Sequence, residues 1–354
     1  MKRKEKWIRK VVAMALSAGL MAGLLTGCSG GSSDGTSASG SASGEKVTLT
    51  NVSYDPTREL YEAYNELFTK KYKEETGKEI EILQSHGGSG SQARSVIEGN
   101  DADVVTLALA HDITAIEEAG MIDSGWLDEF EGNSSPYTST IVFLVRSGNE
   151  KNIQDWDDLI KEGVEVITPD PKSSGGACWN FLAAWYYAQE KFSGDEVQMK
   201  DFVTKLYKNV LVMDSGARGA TTTFVENGQG DVLIAWENEA LLALDEYPGK
   251  YELVTPSISI LAEPSVAIVD ENVSKNGTQN VAEAYLKYLY EDDAQRIIGQ
   301  NYYRPSNKAI LQEFEGTFDL TVNLCSINDF GGWDAAYAKF FADDAIFDEI
   351  KNAE

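Results

Sequence analysis

Short apolar runs alternate with longer amphipathic segments along most of this chain. In residues 58–75 the apolar positions recur at helical spacing, and 93–98 has the pattern of a shorter helix. β-Branched runs predict strands at 46–52, 79–83, 102–108, 138–146, 165–168, 231–236 and 265–269. Regular strand–helix alternation is typical of parallel sheets with helices on both faces. At 354 residues the chain is longer than one typical domain, so the pattern predicts an α/β protein of two lobes.

The first 45 residues have a different pattern. A cluster of lysines and arginines is followed by an apolar run, 11–25, that is too short to span a membrane comfortably, and then by Leu-Thr-Gly-Cys28. This order predicts that residues 1–27 are a lipoprotein signal peptide and that Cys28 receives the lipid. An ordinary signal peptide with a chance cysteine is the alternative. Residues 28–45, rich in serine and glycine, are predicted to be a flexible tether to the outer face of the cell membrane.

Charge narrows the classes of partner. The formal net charge is −27, and cleavage after residue 27 would make it more negative, because the predicted signal peptide is basic. A polyanion repels nucleic acid and anionic membrane surfaces, so neither is an expected partner. His86 and His111 are the only histidines, which leaves little for histidine catalysis or a histidine metal site. Besides Cys28 the chain has Cys178 and Cys325, and the sequence leaves their pairing open.

Glycine- and serine-rich turns stand before several predicted helices. They read SHGGSGS at 85–91, SSGGA at 173–177 and DSGARGA at 214–220, while AWEN at 235–238 joins a strand to a helix. Glycine lets the backbone approach a ligand closely, and a helix N-terminus offers free N–H donors with a partial positive charge. Several such termini at one cleft would form an anion site without a formal charge.

Other interpretations of these residues are open. Each turn alone is compatible with ordinary helix capping, and Trp236 with core packing. His86 beside Ser89 would suit a secreted serine hydrolase or phosphoryl-transfer enzyme. However, the chain has no phosphate-binding G-x-x-x-x-G-K-[ST] loop, and neither Ser89 nor Ser174 lies in a G-x-S-x-G elbow. The paired aspartates at 101/103 and 343/344 are interpreted as solvated faces, so no metal and no cofactor is predicted.

A family resemblance is carried by long motifs in a fixed order. They are NVSYDPTRELYEAYN (51–65), QSHGGSGSQA (84–93), SPYTSTIVFLVR (135–146), TPDPKSSGGA (168–177), DSGARGATTTF (214–224), DVLIAWENEA (231–240), YYRPSN (302–307) and FGGW (330–333). Together these motifs resemble the sulfate-binding proteins of bacterial ABC importers. The resemblance implies a two-lobe, type II periplasmic-binding-protein fold with its ligand cleft between the lobes. The expected boundaries are 46–136 for lobe I, 137–265 for lobe II, and 266–354 for the return to lobe I and the C-terminal helices.

The resemblance also implies a set of sulfate-binding residues. They are Asp55, Ser89, Ser174, Gly175, Gly176, Ala217 and Trp236. Asp55 would donate through its main-chain N–H, so its carboxylate should turn away from the anion, toward Arg58 or Arg218. The chain departs from the family pattern at Cys178, where a basic residue is expected after SSGGA. If that basic residue normally braces the neighbouring loops, this protein must brace them in another way.

The function implied is that of an extracytoplasmic receptor. It would bind inorganic sulfate as a monomer, without enzyme activity, and deliver it to the membrane permease of an ABC importer. A receptor for thiosulfate or another tetrahedral oxyanion is the alternative in the same class. The serine hydrolase that uses Ser89 with His86 is the alternative in a different class.

Overall fold

Residues 46–353 are described by a computed structural model, and the predicted signal peptide, Cys28 and tether lie outside them. The first sheet has four strands, β1 (Val47–Tyr54), β2 (Ile80–Gly87), β3 (Val104–Leu107) and β11 (Ser265–Ile268). Their order in the sheet is β11–β3–β1–β2. Strands β1, β2 and β3 are parallel, so their carboxyl ends meet at one edge of the sheet.

A second sheet has five strands, β5 (Ile141–Arg146), β6 (Val166–Pro169), β7 (Val210–Asp214), β8 (Val232–Trp236) and β9 (Tyr251–Val254). Their order in the sheet is β7–β6–β8–β5–β9. Strands β6, β7 and β8 are parallel and also share a carboxyl edge. We call the elements around the first sheet the first lobe and those around the second sheet the second lobe.

The helices connect these strands and cover the sheets. They are α1 (Arg58–Thr76), α2 (Ser89–Ile97), α3 (Ala110–Glu118), α4 (Gly175–Lys191), α5 (Glu196–Lys208), α6 (Ala217–Val225), α7 (Glu237–Glu246), α8 (Asp270–Asn276), α9 (Gln279–Tyr288), α10 (Asp292–Gln300), α11 (Lys308–Glu313), α12 (Trp333–Phe340) and α13 (Ile346–Lys351). Short helical turns cover Asp55–Thr57, Trp126–Asp128, Glu131–Ser134, Trp156–Asp158 and Ile327–Phe330. Among residues 46–353, no helix is both long and apolar enough to cross a lipid bilayer.

The sheets are mainly parallel, as predicted, but each contains a strand that runs the other way. Strand β5 is antiparallel to β8 and β9, and β11 is antiparallel to β3. Both β5 and β11 are the first strands after the chain crosses from one sheet to the other, and each runs against the parallel strands of its sheet. The crossing region also pairs β4 (Tyr137–Thr138) with β12 (Arg304–Pro305).

The core of the second lobe is built around α4. Its first eleven residues, 175–185, are all buried, as expected of a helix that is apolar on every side. Phe181 contacts Phe340 and Phe347 of the two C-terminal helices, so these helices pack on the second lobe. The pair β10 (Ile258–Ile260) and β13 (Asn323–Cys325) is parallel and lies against α4. Helix α4 is therefore held rigidly where it begins, at Gly175.

Candidate functional site

Three helices of the second lobe begin at the carboxyl edge of its sheet. Helix α4 follows β6, α6 follows β7, and α7 follows β8 directly at Trp236. The residues that precede α4 and α6, Ser174 and Gly216, have extended backbones, and neither helix has a side-chain cap. Uncapped N-termini leave main-chain N–H groups free to bind another acceptor.

The predicted residues of the second lobe lie together at this edge. A Cβ atom built on Gly176 would lie 2.8 Å from the indole Nε1 of Trp236 and 3.5 Å from both the Ala217 Cβ and the Ser174 Oγ. The indole N–H donates to the Gly176 carbonyl at 3.3 Å, which is long for a hydrogen bond. Ser174, Gly176, Ala217 and Trp236 thus lie together in one small region.

The first lobe reaches the same region through the start of α2. The expectation that 85–91 is a turn is wrong in its first half, because β2 continues to Gly87 in register with β1. Only Gly88 separates β2 from α2, so Ser89 is the first residue of the helix. A Cβ atom on Gly175 would lie 3.0 Å from the Cβ of Ser89 and 2.9 Å from that of Ala108. The two lobes are in close contact here.

Asp55 also meets the second lobe across the cleft. It begins the short turn that leads into α1, and a Cβ atom on Gly216 would collide with its carboxylate. The carboxylate lies 3.6 Å from the Arg58 guanidinium. Burial raises the pKa of Asp55, and the charges of Arg58 and Arg218 oppose this shift. The carboxylate therefore lies against the turn before α6 and has two cations nearby.

The hydroxyl group of Ser89 is occupied by its own lobe. It donates to the Asp112 carboxylate at 2.5 Å and accepts from the Ala108 N–H at 3.0 Å. Burial raises the pKa of Asp112 to about 6, opposed by the hydrogen bond from Ser89 and the charge of Arg94. Ser89 is thus left with its main-chain N–H for a ligand. Asp112 was not found from the sequence, where it follows the strand without any motif.

The serine–histidine pair that a hydrolase would need is not formed. His86 Nδ1 lies 2.8 Å from the hydroxyl oxygen of Ser53, and Ser89 is bonded to Asp112 instead. Burial, helped by the charge of Arg58, lowers the pKa of His86 to about 4, so the ring is neutral at pH 7. His86 is a packed structural residue beside the site.

Arg218 follows Ala217 directly and is positively charged, but two carboxylates already neutralise its charge. Its guanidinium donates to the Glu59 carboxylate at 2.7 and 2.9 Å, and to that of Glu239 at 2.8 and 3.0 Å. Glu239 is 1% exposed. Two carboxylates on one guanidinium leave no net positive charge for an anion, so the donors at this site are dipoles.

The position of the missing basic residue is filled by a free thiol. Cys178 is buried and its Sγ contacts the Pro171 carbonyl oxygen at 3.4 Å. Cys178 and Cys325 are both free, which settles the question of their pairing. The loop before α4 is braced instead by Lys172, whose ammonium donates to the Phe341 carbonyl at 3.0 Å and to the Asp348 carboxylate at 2.7 Å. The C-terminal helices therefore hold this loop.

Comparison with known proteins places this geometry in a family. The family profile described as "Bacterial extracellular solute-binding protein" matches residues 50–304. The chain is 59% identical over 305 residues to the sulfate-binding protein of Escherichia coli K12, covering 86% of this chain and 93% of the relative. It is 47% identical over 304 residues to the thiosulfate-binding protein of Pseudomonas aeruginosa, covering 85% and 91%.

Comparison of structures agrees with comparison of sequences. The sulfate-binding protein SubI from Mycobacterium tuberculosis superposes with a TM-score of 0.76 at 32% identity, covering 83% of this chain and 99% of SubI. The match confirms the two-lobe periplasmic-binding-protein fold, and the resemblance seen in the motifs is confirmed at the level of the family. The chain belongs to the bacterial extracellular solute-binding proteins.

Proposed function

We propose that this protein is an extracytoplasmic receptor that binds inorganic sulfate between its lobes. The observation that carries the proposal is the meeting of uncapped helix N-termini from both lobes, with Ser174 and Trp236 beside them. Relatives named for sulfate binding, at 59% identity over most of the chain, support the choice of ligand.

The donors that we assign to sulfate are of three kinds. Main-chain N–H groups come from Asp55, Ser89, Gly175, Gly176 and Ala217. Ser174 adds its hydroxyl, and Trp236 adds its indole N–H in place of the long bond to Gly176. No one of the seven needs a formal charge, which suits a protein whose net charge is −27.

The expected affinity follows from these donors. Hydrogen bonds to a charged group are worth about 1.5–3 kcal/mol each, so seven supply roughly 10–20 kcal/mol in gross terms. Dehydration of the ion, closure of the lobes and association entropy oppose this sum. A net value of about −8 kcal/mol or better, which corresponds to micromolar or tighter binding, is expected.

The proposal also specifies where the receptor is located and which membrane protein receives the sulfate. The Cys28 lipid would tether the monomer to the outer face of the membrane, and the closed receptor would deliver sulfate to an ABC permease without chemical change to the ion. Calorimetry of the refolded, ligand-stripped protein against sulfate, thiosulfate, selenate, molybdate and phosphate tests the ligand. Absence of binding to sulfate, or turnover of ester substrates, would contradict it.

Thiosulfate is the second candidate, favoured by the relative from P. aeruginosa that is named for it. The sulfate-binding relative from E. coli K12 is the more similar of the two, at 59% identity against 47% over nearly the same length. We therefore expect sulfate to bind more tightly than thiosulfate in the same calorimetric series.

A further inference from the structure

We propose that Arg218 and Glu59 form a latch between the lobes, which strengthens anion binding without touching the anion. Arg218 lies at the start of α6 in the second lobe, and Glu59 lies in the first turn of α1 in the first lobe. The two guanidinium N–H groups donate to the two carboxylate oxygens in parallel, at 2.9 and 2.7 Å. This inference rests on the proposed function, because it concerns closure around the proposed ligand.

The guanidinium is positioned by its own lobe. Glu239, which is almost completely buried, accepts from Arg218 Nε and Nη2. The Thr221 hydroxyl donates to the same carboxylate at 2.8 Å and keeps it in place. When the lobes separate, Arg218 stays with Glu239, and Glu59 is the partner that leaves. A preorganised guanidinium loses little side-chain entropy each time the latch forms.

The latch lies on the same rigid elements as the ligand donors. Ala217 precedes Arg218 directly, and Asp55 stands four residues before Glu59, in the turn that leads into α1. Any movement that brings Glu59 to Arg218 also brings the Asp55 N–H toward the Ala217 N–H. Closure around an anion and formation of the ion pair are therefore one event, and each should favour the other.

Because of the charges around the Arg218–Glu59 pair, the direction in which sulfate affinity changes can test the proposal. Asp55, Glu59, Glu239 and Glu246 are the carboxylates near Arg218, and Arg58 is the other cation. If Glu59 acted only through its field, its removal would take a negative charge away from an anion site and tighten sulfate binding. If it acts as a latch, its removal must weaken binding. The two roles predict opposite changes.

The experiment measures sulfate affinity of the intact protein by calorimetry for wild type and Glu59→Gln. We expect the variant to bind roughly tenfold more weakly, since the lost pair is bidentate and only partly exposed. Arg218→Lys keeps the charge but loses the parallel geometry, and it should also weaken binding. Glu313→Gln is the matched control, because it removes one carboxylate from an exposed pair with Arg296 within the first lobe. Binding by Glu59→Gln that equals or exceeds wild type would overturn the latch.

Failure of the latch and failure of the proposed function give different results. If wild type binds sulfate and Glu59→Gln binds it equally well, only the latch is wrong. If wild type binds no oxyanion, the proposed function is wrong, and the latch is then tested by small-angle scattering without ligand. In that case Glu59→Gln should have a larger radius of gyration than wild type, and an equal radius would overturn the latch as well.

Discussion

A Cβ atom built on Gly88 would lie 2.5 Å from the carbonyl oxygen of Ser173, across the cleft between the lobes. The Gly88 backbone, with φ −59° and ψ 135°, is one that any residue adopts easily. Its lack of a side chain is therefore a requirement of the closed lobes and not of the turn itself. A main-chain oxygen in a braced loop is a poor partner to displace, so Gly88 marks the point where closure stops.

Gly88→Ala should leave the first lobe intact and hinder closure. Overlap of this kind typically costs about 1–3 kcal/mol, so we expect sulfate affinity to fall roughly fivefold to more than a hundredfold. Thermal unfolding without ligand should change little, because the open form has no overlap. Gly316→Ala is the control, since a Cβ atom there meets nothing within 4 Å. Equal sulfate affinity in Gly88→Ala and wild type would show that the lobes close in another arrangement.

Ser174→Ala removes the hydroxyl that we assign to the anion. It should lose one hydrogen bond to a charged group, about 1.5–3 kcal/mol, which corresponds to a tenfold to hundredfold weaker affinity by calorimetry. Ser173→Ala is the control from the same loop, because the Ser173 hydroxyl donates to the Ser215 carbonyl at 2.9 Å within the second lobe. A larger effect at Ser173 than at Ser174 would mean that the loop was disturbed and the donor was wrongly assigned.

Asp112→Asn should stabilise the protein in a pH-dependent way. The pKa of Asp112 in the folded protein, about 6, lies above the ordinary value of 3.8, so the folded state holds the proton more tightly than the unfolded state does. The contribution of Asp112 to the free energy of unfolding is therefore lost as pH rises through 6. An amide stays neutral and can still accept from Ser89. The free energy of unfolding of the variant should therefore exceed that of wild type by about 1–3 kcal/mol at pH 8, and this difference should shrink toward pH 4.

Thermal unfolding at pH 4, 6 and 8, without sulfate, measures this difference. Asp343→Asn changes the charge equally at a fully exposed position and is the control. If the stability difference between wild type and Asp112→Asn did not vary with pH, burial would not disfavour the charged form of Asp112.

The sequence predicted the parts of the candidate site that depend on local order. Glycine turns before helices and a tryptophan at a strand end are readable one motif at a time, and the positions of Gly175, Ala217 and Trp236 followed from them by resemblance. Contacts between distant segments could not be predicted in this way. The Ser89–Asp112 bond spans 23 residues and the Arg218–Glu59 pair spans 159, and no spacing rule links either. The direction of β5 and β11 was missed for the same reason, because strand pairing depends on where the chain crosses.

Selection against phosphate is the sharpest consequence of the proposed site, which is made of donors. Sulfate carries no proton at neutral pH, so all its oxygens accept, whereas hydrogen phosphate has an O–H that needs an acceptor. The carboxylates around the site already have partners, since Asp55 lies beside Arg58, Asp112 accepts from the Ser89 hydroxyl, and Glu239 accepts from Arg218. Burying two unmatched donors against each other can reject an analogue by about 10⁴-fold. Calorimetry at pH 7.5 should thus give strong sulfate binding and negligible phosphate binding. Comparable affinities would reveal an acceptor that faces the ligand, and loss of phosphate binding in Asp55→Asn or in Asp112→Asn would identify which carboxylate supplies it.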